Sequence, residues 1–107
     1  MQTFYGSIFI KKEKLQEAGI NHPIKLEYYK IINEDEFINC EKSKYGLKIV
    51  KTEYTEKEVE VENKMIKYLS SNEEKVNNIL ELLKKNEVTP IGVQDVIYDL
   101  VKSRQYF

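Results

Sequence analysis

Few side chains in this sequence are of the types that chemistry requires, and their spacing works against it. His22 is the sole histidine and stands before Pro23 in the breaker Asn21–His22–Pro23. There it reads as a solvent-exposed loop side chain, not as a general base. Cys40 is the sole cysteine. A nucleophilic thiol needs a base and an orienting group beside it, and the chain neighbours are only Asn39 and Glu41. It reads as an inert thiol. One histidine and one cysteine offer no paired zinc spacing. Carboxylates are denser: Glu34, Asp35 and Glu36 run together, and Glu56, Glu58, Glu60 and Glu62 recur at every second residue. That second series would line one strand face and could gather a hard cation. Such a row more often faces water opposite lysines, and Lys48 is available for that. No loop has the calcium-ligand pattern of an EF-hand. The glycines at 6, 19, 46 and 92 are isolated, so no loop cradles a phosphate. The expectation is a chain without catalytic residues, cofactor or metal, and hence not an enzyme.

The surplus lies in aromatic groups. Eight tyrosines and no tryptophan are present, and tyrosine combines a large contact area with a polar tip that suits protein interfaces. Tyr28 and Tyr29 are adjacent, so in a strand they point to opposite faces and one leaves the core. Tyr98 falls on the flank of a C-terminal helix, and Arg104, Tyr106 and Phe107 form a tail beyond it. Tyr29, Tyr98, Arg104, Tyr106 and Phe107 are therefore the candidate partner-binding residues. The plainer reading is that tyrosines pack at the margins of a sheet. Aromatics on an open sheet face also suit RNA, and Lys25, Lys30, Lys48 and Lys51 give that alternative a thin basic frame.

Composition narrows the classes further. The 107 residues suffice for one domain with a single core. Charged residues make up 33% and hydrophobic ones 41%, with a net charge of −1. That balance gives no global attraction to nucleic acid or to an anionic membrane. Arg104 is the only arginine, although arginine is the usual residue for bidentate phosphate and base contacts. The apolar run Phe4–Ile10 is short and its lysines follow it, unlike a signal peptide. No stretch reaches the roughly eighteen apolar residues of a membrane span. A lone cysteine gives no intrachain disulfide, so a cytoplasmic setting is the expectation. Abundant lysine, isoleucine and asparagine fit a low-GC source.

The elements that must position these residues are clearest at the C-terminus. Val76, Ile79, Leu80 and Leu83 recur at helical steps, and Val93, Val96, Ile97, Leu100 and Val101 form a second stripe. Ser70 with Glu73, or Ser71 with Glu74, would make a capping box. Asn86 would be a left-handed stop, Thr89 the next cap, and Pro90 the first residue of the second helix. The short link between the helices predicts an antiparallel hairpin over residues 70–103. A DNA-binding helix-turn-helix is disfavoured, because the outer face of the second helix offers Gln94, Asp95, Tyr98, Asp99 and Lys102, with two carboxylates that would meet phosphates.

Residues 24–67 read as a sheet. Ile24, Leu26, Tyr28 and Ile32 share one face of a first strand, opposite Lys25, Glu27, Tyr29 and Ile31. Phe37–Cys40 would be a brief return strand. Tyr45–Tyr54 is a strand with a bulge at Gly46, where Leu47 and Ile49 oppose Val50, Thr52 and Tyr54. Glu58–Glu62 alternates strictly, as a strand half in water and half in the core does. Residues 1–23 carry the thinnest signals: Phe4–Ile10 is β-prone without clean alternation, and Lys11–Ala18 fits a short helix ending at Gly19. The expected fold class is α+β: an antiparallel β-meander of three to five strands covered on one face by a C-terminal helical hairpin, all in a single domain, 1–107.

Tyr28–Tyr29, the run Tyr45–Val50, the capped helix Glu73–Leu83 and the stretch Asn86–Leu100 together resemble a family of small clostridial proteins of unknown function. The likeness spans about residues 25 to 101, with the Val88–Thr89–Pro90 turn and the helix that follows as its most distinctive part. It implies a clostridial source and a fold of this kind. It supplies no activity, cofactor or catalytic residue. The function expected is a small non-catalytic interaction or regulatory module, self-associating or bound to a protein partner. The alternative is a nucleic-acid-binding regulator using lysines and tyrosines of the sheet face.

Overall fold

A computed structural model describes residues 1–33 and 44–103. Four strands, β1 (Gln2–Ile10), β2 (Ile24–Ile32), β3 (Tyr45–Tyr54) and β4 (Val59–Ser70), form one antiparallel sheet in the order β1-β2-β3-β4. Between β1 and β2 lies α1 (Lys12–Leu15), which tightens into a 3-10 turn over Gln16–Ala18. The helices α2 (Glu73–Lys85) and α3 (Val93–Ser103) follow the sheet and fit a helical hairpin. The architecture is α+β, in two layers, with the helices on one side of the sheet. The expected return strand Phe37–Cys40 and the tail Arg104–Phe107 lie outside the described residues.

Alternation makes the core. Ile24, Leu26 and Tyr28 of β2 and Leu47 and Ile49 of β3 are buried on one face, against Val76, Ile79, Leu80 and Leu83 of α2. Val93 and Ile97 of α3 complete that cluster, with Val96 and Leu100 packed at its margin. The irregular pattern in the first strand has a physical cause. The β1–β2 register shifts between Phe4 and Gly6, so the alternation changes phase at Tyr5. Beyond the shift, Ile8 and Ile10 pair with Leu26 and Ile24 on the core face. Gly19 adopts φ 78° and ends the short helix as a left-handed cap.

The helix ends differ from expectation. β4 holds the chain extended through Ser70, which leaves neither serine in the residue directly before Glu73. Asn72 takes that place, in extended conformation, and its side chain accepts from the Lys75 N–H at 3.2 Å. Ser70 instead accepts from the Asn72 N–H at 3.1 Å. Changing Asn72 to alanine is expected to remove about 1 kcal/mol, lowering the melting temperature by roughly 4–8 °C. Thermal melts of Asn72→Ala beside Ser70→Ala would check this; an equal loss in both would point back to a serine cap.

At the other end of α2, Asn86 is not left-handed; it has φ −96° and donates its side-chain amide to the Leu82 carbonyl at 2.8 Å. The left-handed residue is Glu87, at φ 52°, whose carboxylate meets Lys14 at 2.7 Å. Thr89–Gly92 closes as a turn, with the Gly92 N–H donating to the Thr89 carbonyl at 3.1 Å. Pro90 therefore sits in that turn, and α3 starts at Val93.

Candidate interaction surface

The face of the sheet turned away from the helices has no described helix over it, and the register defines its rows. Phe4, Tyr29, Lys48 and Met65 stand side by side across the four strands. Ser7, Glu27, Val50 and Asn63 form the next row, and Phe9, Lys25, Thr52 and Val61 the one after. Tyr54 and Val59 close the end. The two outer strands carry the exposed apolar groups: Phe4 and Phe9 on β1, and Val59, Val61 and Met65 on β4. The central strands carry the charges. Phe4 meets Tyr29 edge-on, ring centroids 5.6 Å apart, and Phe9 lies 6.4 Å from Tyr54.

The strict alternation of Glu58–Glu62 therefore reports something other than a half-buried strand. Val59 and Val61 remain 59% and 62% exposed, because they alternate onto the uncovered face. Glu60 and Glu62 point to the helical side, opposite Glu53 and Lys51. Lys48 is not their partner; it faces Met65 on the other side of the sheet. Hydrogen bonding with Glu58, then burial and the Glu58 charge, and last Glu53, push the Glu60 carboxyl above its ordinary range. Burial acts to raise the Glu53 carboxyl, but Lys51 at 3.2 Å and His22 at 3.6 Å outweigh it and hold that group low. His22 is thus half-buried beside Glu53, not a free loop side chain. Among the described residues no group of three or more His, Cys, Asp and Glu is placed to hold a metal ion.

The tyrosines divide between the layers. The Tyr29 hydroxyl donates to Glu27 at 2.8 Å, and that bond raises its pKa. Tyr5 donates to Glu81 at 2.6 Å and is pushed up to about 12 by that bond, by burial and by the carboxylate charge. Tyr28 is fully buried and donates to the Val88 carbonyl at 2.9 Å, with burial and then Glu87 raising its phenol. All three stay protonated donors at neutral pH. Tyr98 is 67% exposed but belongs to α3, in the helical layer. Tyr29 and Tyr98 therefore do not share a surface, and Arg104, Tyr106 and Phe107 lie outside the described residues.

The basic frame around the sheet aromatics divides in the same way. Lys30 turns to the helices, 3.2 Å from both Asn77 and Glu73, and Lys51 pairs with Glu53. Lys25 and Lys48 remain on the open face, with Glu27 in the row between them. The surface residues that sequence reasoning missed are Phe4, Phe9, Val59, Val61 and Met65. Alternation marked their strands but not which face the helices would leave uncovered.

Among the described residues no helix is long and apolar enough to cross a membrane. A family described as "Family of unknown function (DUF6514)" matches residues 7–103. The match takes in the last four residues of β1 and all of α1, which the resemblance over about residues 25 to 101 left out. No curated protein and no solved structure matches the chain.

Proposed function

The chain belongs to this family of unknown function, and from that premise we propose that it is a small non-catalytic protein-interaction module, self-associating or partner-binding. The observation that supports this most is the sheet face that no described helix covers, whose outer strands expose Phe4, Phe9, Val59, Val61 and Met65. Apolar side chains scattered singly are ordinary on a protein surface, whereas these gather in two strips, Phe4 with Phe9 on β1 and Val59 and Val61 with Met65 on β4, either side of a charged centre, which suits a contact surface. Along Val59–Met65 the outer side of β4 adjoins no described strand, and a strand edge of that kind recognises extended chains. A cytoplasmic setting accompanies this reading on the strength of the lone cysteine, and a low-GC source on that of the Lys, Ile and Asn content; a clostridial source rests on the resemblance alone.

The test is a gentle capture of the tagged protein from its host, with and without nuclease, beside a Phe4→Ser/Tyr29→Ser variant. A stoichiometric protein that survives nuclease and falls at least about tenfold with the variant is expected if the open face binds it. Undiminished capture by the variant would remove the open face from the assignment. Nuclease-sensitive material that is released by salt would favour the nucleic-acid alternative instead, with Lys25 and Lys48 as its contacts.

A further inference from the structure

We infer that β4 pairs antiparallel with the β4 of a second copy of this chain, about a two-fold axis at Asn63, joining two four-stranded sheets edge to edge. This rests on the reading of the sheet margin as a protein-contact surface and names its occupant. Among the described residues the strand order leaves the outer side of β4 without a neighbouring strand along Val59–Met65.

The hairpin determines which backbone groups are left over. The Thr55 N–H donates to the Glu58 carbonyl at 3.0 Å, and hydrogen-bonded pairs then recur at every second residue. Glu53–Glu60, Lys51–Glu62 and Ile49–Lys64 are consequently the bonded pairs of β3 and β4. The other flank of β3 agrees: the Tyr54 N–H donates to the Pro23 carbonyl at 3.2 Å, which assigns the even residues of β3 to β2. Val59, Val61, Asn63 and Met65 therefore turn their N–H and C=O outward. A hollow between Glu62–Lys64 and the Pro90–Gln94 turn leaves space beside this edge.

Charge selects the register. With the axis at Asn63, Glu62 stands opposite the partner's Lys64 in both halves of the pair, and Val61 stands opposite the partner's Met65. Moving the axis to Glu62 keeps two opposite pairs, Glu60 with the partner's Lys64, but sets the Glu62 carboxylate against its own copy, and moving it to Lys64 opposes two ammonium groups with no opposite pair beside them. Like charges directly opposite one another disfavour both of those registers. The pairs at 62 and 64 are not hydrogen-bonded to each other in the new ladder, so their side chains approach most closely. Val61 and Met65, 62% and 45% exposed in the single chain, gain an apolar neighbour. Stacking two open faces would instead bury Lys25, Glu27 and Lys48 of the central strands, at a high desolvation cost. Edge pairing leaves those charges in water.

Sedimentation equilibrium of the whole chain over a concentration series tests this, using the wild type, Glu62→Lys, Lys64→Glu and the double exchange. A reversible dimer is expected, weakened about tenfold by either single change, since each sets two like-charged pairs. The double exchange should restore it to within about threefold of the wild type. Circular dichroism of each variant separates lost pairing from lost folding. A wild type that stays monomeric throughout overturns the inference, as does a dimer indifferent to the single changes. If the purified chain is monomeric while the captured partner still depends on Phe4 and Tyr29, this inference fails and the interaction-module reading stands. A monomer with no captured partner overturns both.

Discussion

Replacing Gly46 with alanine is expected to destabilise the fold by about 3 kcal/mol or more, one of the two largest single-residue effects in the described chain. A Cβ at this position would lie 2.2 Å from the Ile66 carbonyl oxygen and 2.3 Å from that of Lys67. Both atoms belong to the backbone of β4, so no rotamer change relieves the contact. The clash arises where the β3–β4 register shifts between Tyr45 and Leu47, and β4 can approach β3 closely there because Gly46 has no side chain. The approach is anchored from the far side too, since the Asn33 side chain donates to the Lys67 carbonyl at 2.9 Å. Urea unfolding followed by circular dichroism measures the effect as a fall in midpoint with an unchanged slope. At roughly 4–8 °C per kcal/mol for a domain of this size, the melting temperature should drop by about 15 °C. An alanine variant as stable as the wild type would show that the strands do not meet this closely.

Much of this fold is legible in the sequence because period and chemistry agree there. Val76, Ile79, Leu80 and Leu83 recur at helical steps and all are buried. Ile24, Leu26 and Tyr28 alternate in β2 and are buried on one face, as alternation implies. Gly46 marks the shift in β3 from an isolated glycine alone. What the sequence could not decide are choices among local groups that compete on equal chemical footing. Ser70, Ser71 and Asn72 are all good caps, and only the length of β4 selects Asn72. Tyr5 interrupts the alternation of β1, and no residue type announces that. Val59 and Val61 alternate as buried residues do, yet which face receives a helix depends on where α2 and α3 pack. That last ambiguity bears on the proposed function directly, because it separates core from exposed face. Tyr29 was legible for the same reason that Val61 was not: its neighbour Tyr28 competes for the core, and two adjacent strand residues cannot both enter it.

That pair gives the second large effect. Tyr28→Ala is expected to remove about 4 kcal/mol or more, whereas Tyr29→Ala should remove less than about 1 kcal/mol. Tyr28 is fully buried among Leu26, Leu47, Ile49 and the α2 stripe, and its hydroxyl reaches the Val88 carbonyl in the link between α2 and α3. Truncation therefore opens a cavity under the helices and frees a partly buried carbonyl at once. Tyr28→Phe isolates the second contribution, at about 1–2 kcal/mol, because the ring still fills its space. Among the described residues Tyr29 meets the edge of Phe4 and the Glu27 carboxylate, and water can replace its hydrogen bond. Unfolding midpoints of the three variants supply the comparison. Equal losses at 28 and 29 would mean that something covers both faces of the sheet, and the open face would no longer be available to a partner. A loss confined to Tyr28 would leave Tyr29 with no structural reason for a large aromatic ring on the outer face. On the proposed reading its contribution should then appear in binding: the same Tyr29→Ala protein, folded as stably as the wild type to within that margin, should fail to retain any protein that the wild type captures.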